Sequence, residues 1–219
     1  EVEASKNKVK LPYEMWSMDK IKPDTGALPK WIAKYKGPYV MSCKLDGVSG
    51  LYTTEGPEPK LYTRGNGTVG QDVSHMIPFL RLPSDQGLVI RGEFIIPKQR
   101  FQEKYSSEFS NPRNFVAGVV NQKTIRPEKI RDLDFVAYEL IKPEMKPYDQ
   151  MMAMSEMSME VVMFLKEDAV SNELLSELLV SWRQDYKYEI DGVICTDNQI
   201  YPRKRGNPEH AFAFKMVLS

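Results

Sequence analysis

Short apolar runs alternate with turn-forming residues over residues 39–96. The runs are rich in Val, Ile, Tyr and Thr, and the turns fall at residues 55–57, 66–67 and 84–87. Short runs of this composition, separated by glycine-containing turns, are typical of β-hairpins. We therefore predict an antiparallel sheet for this part of the chain.

Helical periodicity precedes and follows the predicted sheet. In residues 24–36 the apolar side chains of Leu28, Trp31, Ile32 and Tyr35 have the i, i+3, i+4, i+7 spacing of an amphipathic helix. A second helical region is predicted from about residue 149 to residue 182, with Ser171 or Asn172 as an N-cap. The pattern returns to strands at residues 188–196 and 211–217. This order of elements predicts an α+β domain, with antiparallel sheets flanked by helices.

Composition limits the domain organisation and the partners. The chain has 219 residues, and its first ten are charged and polar, so we expect a flexible N-terminal segment (1–10) and one domain (11–219). Thirty basic and thirty acidic residues cancel. Nucleic acid must then be bound by a local patch, and the best candidate is residues 201–208, with Arg203, Lys204 and Arg205. A solvated loop explains this patch equally well.

The cysteines and the hydropathy bear on location and metals. Cys43 and Cys195 lie in predicted strands without C-x-x-C spacing, which argues against zinc and fits a reducing compartment. The sequence has no apolar run of membrane-spanning length and no cleavable hydrophobic leader. We therefore predict an intracellular protein, cytoplasmic or nucleoid-associated, that does not contact a membrane.

Lys44 is the residue whose position most strongly indicates chemistry. It lies in the strand-like run Ser42-Cys43-Lys44-Leu45-Asp46-Gly47. Alternation along a strand places Lys44 and Asp46 on one face, with Cys43 and Leu45 on the other. Burying two charges costs more than packing apolar residues, so this arrangement favours a functional site. A surface strand with an ion pair is the structural alternative.

Five other charged residues occupy positions that core packing does not favour. Arg64 ends a predicted strand, and Glu93 lies inside one. Arg113 follows a helix-start signal at Asn111-Pro112. Asp191 precedes a glycine, and Lys215 shares a strand face with small alanines. Together with Lys44 and Asp46 they suit a nucleotide phosphate, its ribose and Mg²⁺. A lysine amine becomes a nucleophile when burial and a nearby cation favour its neutral form, and Lys215 or Mg²⁺ would supply that cation. The implied step is attack on an α-phosphate, and no P-loop or Rossmann glycine motif offers another nucleotide site.

Six motifs in this order resemble the adenylation domain of NAD⁺-dependent DNA ligases. The resemblance covers residues 11–219 and includes Met15-Trp-Ser-Met-Asp-Lys, the Lys44 run, and the strings TRGNGTVGQD and NPRN, which are more characteristic of the NAD⁺-using branch than of the ATP-using branch. It implies the covalent nucleotidyltransferase fold shared by DNA ligases and mRNA capping enzymes. It also implies nicked double-stranded DNA as the partner, NAD⁺ as the AMP donor and Mg²⁺ as the metal.

The resemblance assigns roles residue by residue. Lys44 would form lysyl-AMP within an AMP/NAD⁺-binding motif that includes Ser42, Cys43, Leu45, Asp46 and Gly47. Arg64 and Glu93 would contact the ribose, Lys215 would hold the α-phosphate, and Asn111 and Arg113 would contact the nucleotide or the 5′-phosphate of the nick. The Mg²⁺ ligands would be drawn from Asp46, Glu93 and Asp191. AMP would then pass to the 5′-phosphate, and a 3′-hydroxyl would seal the break.

Three positions depart from the family pattern. Ser42 replaces a glutamate near the adenine, Asn121 replaces an arginine, and Thr196 replaces a lysine. The family's nicotinamide-mononucleotide-binding domain and its oligonucleotide-binding, zinc and helix-hairpin-helix domains have no counterpart in these residues, so we expect them elsewhere, for example on a second ligase chain. An ATP-dependent DNA or RNA ligase core and a non-catalytic nucleic-acid-binding relative are the alternative functions.

Overall fold

Two five-stranded sheets form the framework of the fold. The computed structural model describes residues 8–122 and 124–216. The first sheet has the order β10-β3-β11-β12-β2 and the second the order β5-β4-β7-β8-β9, while β1 pairs with β6 in a separate ribbon. The strands are β1 Lys8–Lys10, β2 Lys20–Ile21, β3 Tyr39–Leu45, β4 Val48–Thr53, β5 Lys60–Thr63, β6 Val69–Gln71, β7 Val89–Ile95, β8 Asp134–Lys142, β9 Glu160–Val161, β10 Phe164–Glu167, β11 Ile190–Asp197 and β12 Ala211–Phe214.

Within the residues that the structure describes, six α-helices and one 3-10 helix, Ser74–Phe79, flank these sheets. The α-helices are α1 Ala27–Lys34, α2 Lys98–Lys104, α3 Pro112–Val120, α4 Pro127–Ile130, α5 Pro147–Ser155 and α6 Asn172–Asp185. Pairing is antiparallel except for β12 with β2 and β8 with β9. The predicted α+β class with antiparallel sheets and flanking helices is confirmed.

One apolar core joins the two sheets. Met41 of the first sheet and Phe94 and Phe135 of the second are buried members of the same cluster. A smaller cluster, which includes Leu11, Met15 and Leu51, packs the N-terminal segment onto the second sheet. Within the described residues, no helix has both the length and the apolar character to cross a membrane.

The predicted helical region at 149–182 is wrong in its middle part. Helix α5 ends at Ser155, and the chain then forms β9 and β10 before α6 begins with Ser171 as its N-cap. Strand β9 pairs with β8 at the edge of the second sheet, and β10 pairs with β3 at the edge of the first. These residues include Val161 and Phe164, which suit a strand, and long-range pairing decides their conformation. Of the predicted flexible segment 1–10, Lys8–Lys10 forms a strand that pairs with β6, and residues 1–7 lie outside the described residues.

Candidate active site

A cavity of about 1240 Å³ lies between the two sheets and is lined by most of the predicted site residues. Strands β3 and β11 provide one wall, and β7 and β8 provide the facing wall. Residues 12–18 and the loop between β11 and β12 border it. The predicted residues that line it are Ser42, Cys43, Lys44, Leu45, Asp46, Gly47, Arg64, Glu93, Arg113, Asp191, Arg203, Lys204 and Arg205.

One carboxylate holds the two predicted lysines together. The Nζ atom of Lys44 donates to Asp191 Oδ1 at 3.1 Å and lies 3.4 Å from Oδ2. The Nζ atom of Lys215 lies 3.3 Å from Asp191 Oδ2. All three side chains are about 30% exposed, at 29% for Lys44 and 31% for Lys215 and Asp191. This arrangement, the central group of the site, places two positive charges around one negative charge.

Backbone geometry explains why these three residues meet. The pairing of β3 with β11 is irregular between Ile190 and Gly192, and a bulge at this point re-aims the intervening Asp191. A Cβ atom on Gly192 would lie 2.8 Å from the Phe214 carbonyl oxygen and 3.2 Å from Cγ of Lys215. Glycine therefore allows the Phe214 carbonyl and the Lys215 stem to lie close to β11, and Lys44 Cδ would be at an ordinary contact distance of 3.5 Å.

The predicted pairing of Lys44 with Asp46 is wrong. Strand β3 ends at Leu45, so the alternation of faces does not extend to Asp46. Asp46 Oδ1 instead lies 3.7 Å from Nε of Arg113, whose Nε also donates to the Gly47 carbonyl at 3.0 Å. Asp46 thus helps to hold an arginine at the cavity, while Asp191 holds the central lysine.

Glu93 is a buried carboxylate, and both of its oxygens are bonded. It accepts hydrogen bonds from the Gly47 N–H at 3.0 Å and from the Ser49 hydroxyl at 2.8 Å. Burial raises the pKa of Glu93 to about 7, although these two hydrogen bonds and the charge of Lys44 lower it. Glu93 therefore changes its protonation near neutral pH. A Cβ atom on Gly47 would lie 2.2 Å from the Phe94 carbonyl oxygen, so the turn after Lys44 requires glycine.

Arg64 and Arg113 are both fixed by backbone carbonyls. Arg64 Nε donates to the Met15 carbonyl at 2.9 Å, which links the glycine-rich turn after Arg64 to the part of the chain around Met15. Arg113 lies in the first turn of α3, where the Asn111 side chain accepts the Asn114 N–H at 2.8 Å. Asn111 and Lys215 are the two predicted site residues that are outside the cavity lining. The Asn111 side chain caps α3 and so positions Arg113, and its contact with a ligand stays a prediction.

Cys43 and Leu45 are core residues whose side chains belong to the large apolar cluster. Burial raises the pKa of the Cys43 thiol to about 12, so the thiol stays protonated. Ser42, in contrast, is a buried polar residue on the lining of the cavity. Of the predicted motif residues, Lys44 and Ser42 are thus the side chains on β3 that are available to a ligand.

The predicted Mg²⁺ ligands do not form a ready-made metal site. Among the residues that the structure describes, no group of three or more His, Cys, Asp or Glu side chains could hold a metal ion. Asp191 is shared by two lysines, Glu93 is bonded by Gly47 and Ser49, and Asp46 faces Arg113. Mg²⁺ coordination by these carboxylates stays a prediction.

Arg91 is a cavity residue that the sequence interpretation missed. It is 9% exposed, and its Nη1 lies 3.2 Å from Glu139 Oε1, while Nη2 donates to the Trp16 carbonyl at 3.2 Å. Its guanidinium carbon lies 5.3 Å from the centre of the Tyr138 ring, which is a cation–π distance. The signal was present in the sequence, because Arg91 is two residues from Glu93 on the same strand and therefore shares its face.

The predicted basic patch lies at the border of the same cavity, and its charges are paired. Arg203 Nη1 lies 3.4 Å from Glu139 Oε2. Lys204 Nζ lies 3.8 Å from Glu209 Oε2, and Arg205 Nε lies 3.8 Å from Glu14 Oε1. We call residues 201–210 the rim loop.

Fold and site together define a nucleotidyltransferase of the ligase type. An archaeal ATP-dependent RNA ligase of known structure superposes with a TM-score of 0.58 at 12% identity, over 94% of this chain and 49% of that chain. At this identity the likeness establishes the fold alone. The chain belongs to the family of NAD-dependent DNA ligase adenylation domains, whose model matches residues 3–217.

Relatives in viruses and bacteria agree with this assignment. A DNA ligase of Acanthamoeba polyphaga mimivirus is 42% identical over 217 residues, which cover 95% of this chain and 34% of the viral protein. A DNA ligase of Halothermothrix orenii is 30% identical over 200 residues, covering 81% of this chain and 30% of the bacterial protein. The chain thus spans about one third of the length of these relatives.

Proposed function

We propose that this chain is the adenylating core of an NAD⁺-dependent DNA ligase. It transfers AMP from NAD⁺ to Lys44 and then to the 5′-phosphate of a nick in double-stranded DNA, which a 3′-hydroxyl seals. The observation that carries this proposal is the central group, in which Asp191 pairs with both Lys44 and Lys215. Lys44 and Asp191 line a nucleotide-sized cavity. Membership of the adenylation family supports the choice of reaction.

The first step requires Lys44 to lose a proton and attack phosphorus. Asp191 lies 3.1 Å from Lys44 Nζ and is the acceptor placed for that proton. The Nζ lone pair forms a bond to the α-phosphorus of NAD⁺, and the bond from this phosphorus to the bridging oxygen breaks. Nicotinamide mononucleotide leaves with the electron pair. Lys215 supplies a positive charge beside the oxygens that gain charge in the transition state.

The other charged residues bind and orient the nucleotide in this proposal. Arg64 and Glu93 serve the ribose, because both line the cavity and both are fixed by the chain around them. A carboxyl group with a pKa near 7 can donate to a ribose hydroxyl as well as accept from it. Arg113 offers its positive charge to a phosphate, since its side chain is 62% exposed despite its contact with Asp46.

The donor is assigned to NAD⁺ from the family membership, since the fold is shared with an ATP-dependent RNA ligase. Incubation of the protein with AMP-labelled NAD⁺ or with α-labelled ATP tests this assignment. We expect label on the protein from NAD⁺ and none from ATP. Label from ATP alone would assign the chain to ATP-dependent ligases. Label from neither donor, also when the further ligase domains are added, would favour the non-catalytic alternative.

Nick sealing extends the proposal beyond the adenylation step. Because the chain spans about one third of its ligase relatives, the sealing reaction is proposed for the chain acting together with further ligase domains. Mg²⁺ is proposed to arrive with the donor phosphates, as is usual where a protein lacks a full ligand set. The protein is proposed to act inside the cell, in DNA replication and repair.

A further inference from the structure

The rim loop spans the border of the cavity between two sets of anchors. On one side, Arg203 contacts Glu139, and its Nη2 donates to the Glu14 carbonyl. On the other side, Asn207 Nδ2 donates to Asp19 Oδ1 at 3.0 Å, and the Trp31 indole N–H donates to the Glu209 carbonyl at 2.9 Å. The loop is therefore anchored at both ends across the border of the cavity, and its basic side chains form ion pairs with carboxylates.

Glu139 forms ion pairs with two arginines, of which Arg91 is fixed in place and Arg203 can exchange. Arg91 is 9% exposed and is also held by the Trp16 carbonyl and the Tyr138 ring, so it stays beside Glu139. The side chain of Arg203 is 36% exposed and belongs to a loop. If Arg203 leaves, Arg91 still neutralises Glu139, whose side chain is 32% exposed. Exposed ion pairs of this kind stabilise little, so Arg203 is released at low cost.

The hydrogen bonding of this region is incomplete. Glu14 Oε2 and Arg91 Nε are buried atoms with no hydrogen-bond partner among the residues that the structure describes. Buried polar atoms normally have partners, and those that lack them require an explanation. Both atoms belong to residues that line the cavity and adjoin Arg203 or its carboxylate. Arg91 Nε is a donor, so an anionic ligand in the cavity would offer it an acceptor.

We propose that Arg203 is a masked phosphate-binding residue: Glu139 and Glu14 hold it at the border of the cavity until substrate phosphate replaces them. The inference rests on the proposed function, which supplies a phosphate-bearing substrate. An arginine suits the exchange because its planar guanidinium binds two phosphate oxygens in the geometry in which it binds a carboxylate. The phosphate is either a backbone phosphodiester of DNA or the pyrophosphate of the dinucleotide.

The test uses the chain with Glu139→Gln, with Arg203→Gln, and with both changes. Glu167→Gln is the matched control, because Glu167 is an exposed residue of β10 that forms no ion pair within the described part of the chain. Binding to a fluorescent nicked duplex is measured by anisotropy across a salt series, starting at low ionic strength and without any AMP donor. Binding of NAD⁺ is measured separately by calorimetry.

We expect Glu139→Gln to tighten binding several-fold, because the guanidinium of Arg203 no longer pairs with a carboxylate and can bind phosphate. Arg203→Gln should weaken duplex binding and reduce the salt slope by about one if the phosphate belongs to DNA. When Arg203 is already replaced by Gln, adding Glu139→Gln should raise the affinity for the duplex no more than Glu167→Gln raises it in the natural chain. A gain seen only with NAD⁺ would assign the phosphate to the dinucleotide.

Equal gains from Glu139→Gln with and without Arg203 would overturn the proposal, since they would reflect net charge alone. An unchanged salt slope for Arg203→Gln, together with unchanged NAD⁺ binding, would overturn it as well. Arg203→Gln leaves the contact between Arg91 and Glu139 intact, so this arm remains readable if Glu139→Gln unfolds the protein. Neither binding measurement needs Lys44 to react, so a failure of adenylation is distinguishable from a failure of the mask.

Discussion

The central group and the rim loop both contain carboxylates that are shared by two cations, but the cations come from different kinds of element. In the central group Lys44 and Lys215 share one carboxylate, Asp191. At the rim loop Glu139 is shared by Arg203 and Arg91, and Glu209 is shared by Lys204 and Lys34. Both regions therefore keep positive charge for an anionic ligand, and what distinguishes them is where the cations are placed.

The two regions also differ in how their side chains are anchored. Lys44 and Asp191 lie on paired strands, and Gly192 lets the Lys215 stem lie close to the backbone of β11. The Arg205 and Lys204 side chains are 85% and 73% exposed on a loop. A preorganised charge on strands suits chemistry on a phosphate, and exposed charges on a loop suit a contact that forms and breaks.

The largest effect is expected from removing the shared carboxylate. Asp191→Asn keeps the shape of the side chain but removes the proton acceptor for Lys44, so adenylation of the protein by NAD⁺ should slow by about 10²–10⁴-fold. Single-turnover labelling measures this rate. Asp185→Asn, at the exposed end of α6, is the matched control and should leave the rate unchanged. An Asp191→Asn protein that reacts at the natural rate would remove the distinction between the two regions.

Removing the second lysine should have the next largest effect. Lys215→Gln keeps a polar side chain but removes the charge that lies 3.3 Å from Asp191. Loss of one preorganised electrostatic contact to a transition state costs about 10²–10³-fold in rate. The same labelling assay checks this, and Lys215→Arg should recover part of the rate. If Lys204→Gln at the rim loop slows adenylation equally, the placement of charge in the central group is not what matters.

Glu93 should give the cavity a pH-dependent stability. Its pKa of about 7 is above that of an unfolded glutamate, so the folded state binds the proton more tightly. The stabilisation is present below about pH 4.5 and is lost as the pH rises towards 7, by up to roughly 3 kcal/mol. Denaturant unfolding of Glu93→Gln should show a flatter pH profile between these values. If the stability of the natural chain and that of Glu93→Gln change with pH in parallel, burial of Glu93 does not raise its pKa.

The smallest effects are expected at the rim loop. Arg205→Gln and Glu209→Gln remove exposed ion pairs, which typically contribute less than about 1 kcal/mol. Denaturant midpoints should therefore be almost unchanged for each variant. A loss of more than about 2 kcal/mol would mean that the rim loop is a fixed part of the fold rather than an exchangeable one.

Local pattern was sufficient to predict much of this molecule. Alternating apolar residues gave β3, β4 and β7, and charged residues on such strands identified Lys44, Glu93 and Asp191. What the pattern did not provide depends on long-range pairing. Residues 160–167 become edge strands of two different sheets, and the partner of Lys44 is set by a bulge in the pairing of β3 with β11.

The contact of Arg91, Glu139 and Arg203 was missed for a related reason. Its members come from β7, β8 and the rim loop, which are far apart in sequence. The alternation of β7 indicated the face of Arg91 but not which carboxylate it would meet. Sequence alone therefore identified the basic residues of the rim loop but not the carboxylates that pair with them.

The central claim is that Lys44, and not Lys215, carries AMP. Intact-mass measurement after mixing the chain with NAD⁺, followed by peptide mapping, tests this directly, with Lys44→Ala and Lys215→Ala measured in parallel. We predict one added AMP on the natural chain, located on Lys44, a slower gain for Lys215→Ala and none for Lys44→Ala. An AMP adduct on the Lys44→Ala protein, or one mapped to Lys215 in the natural chain, would contradict the account.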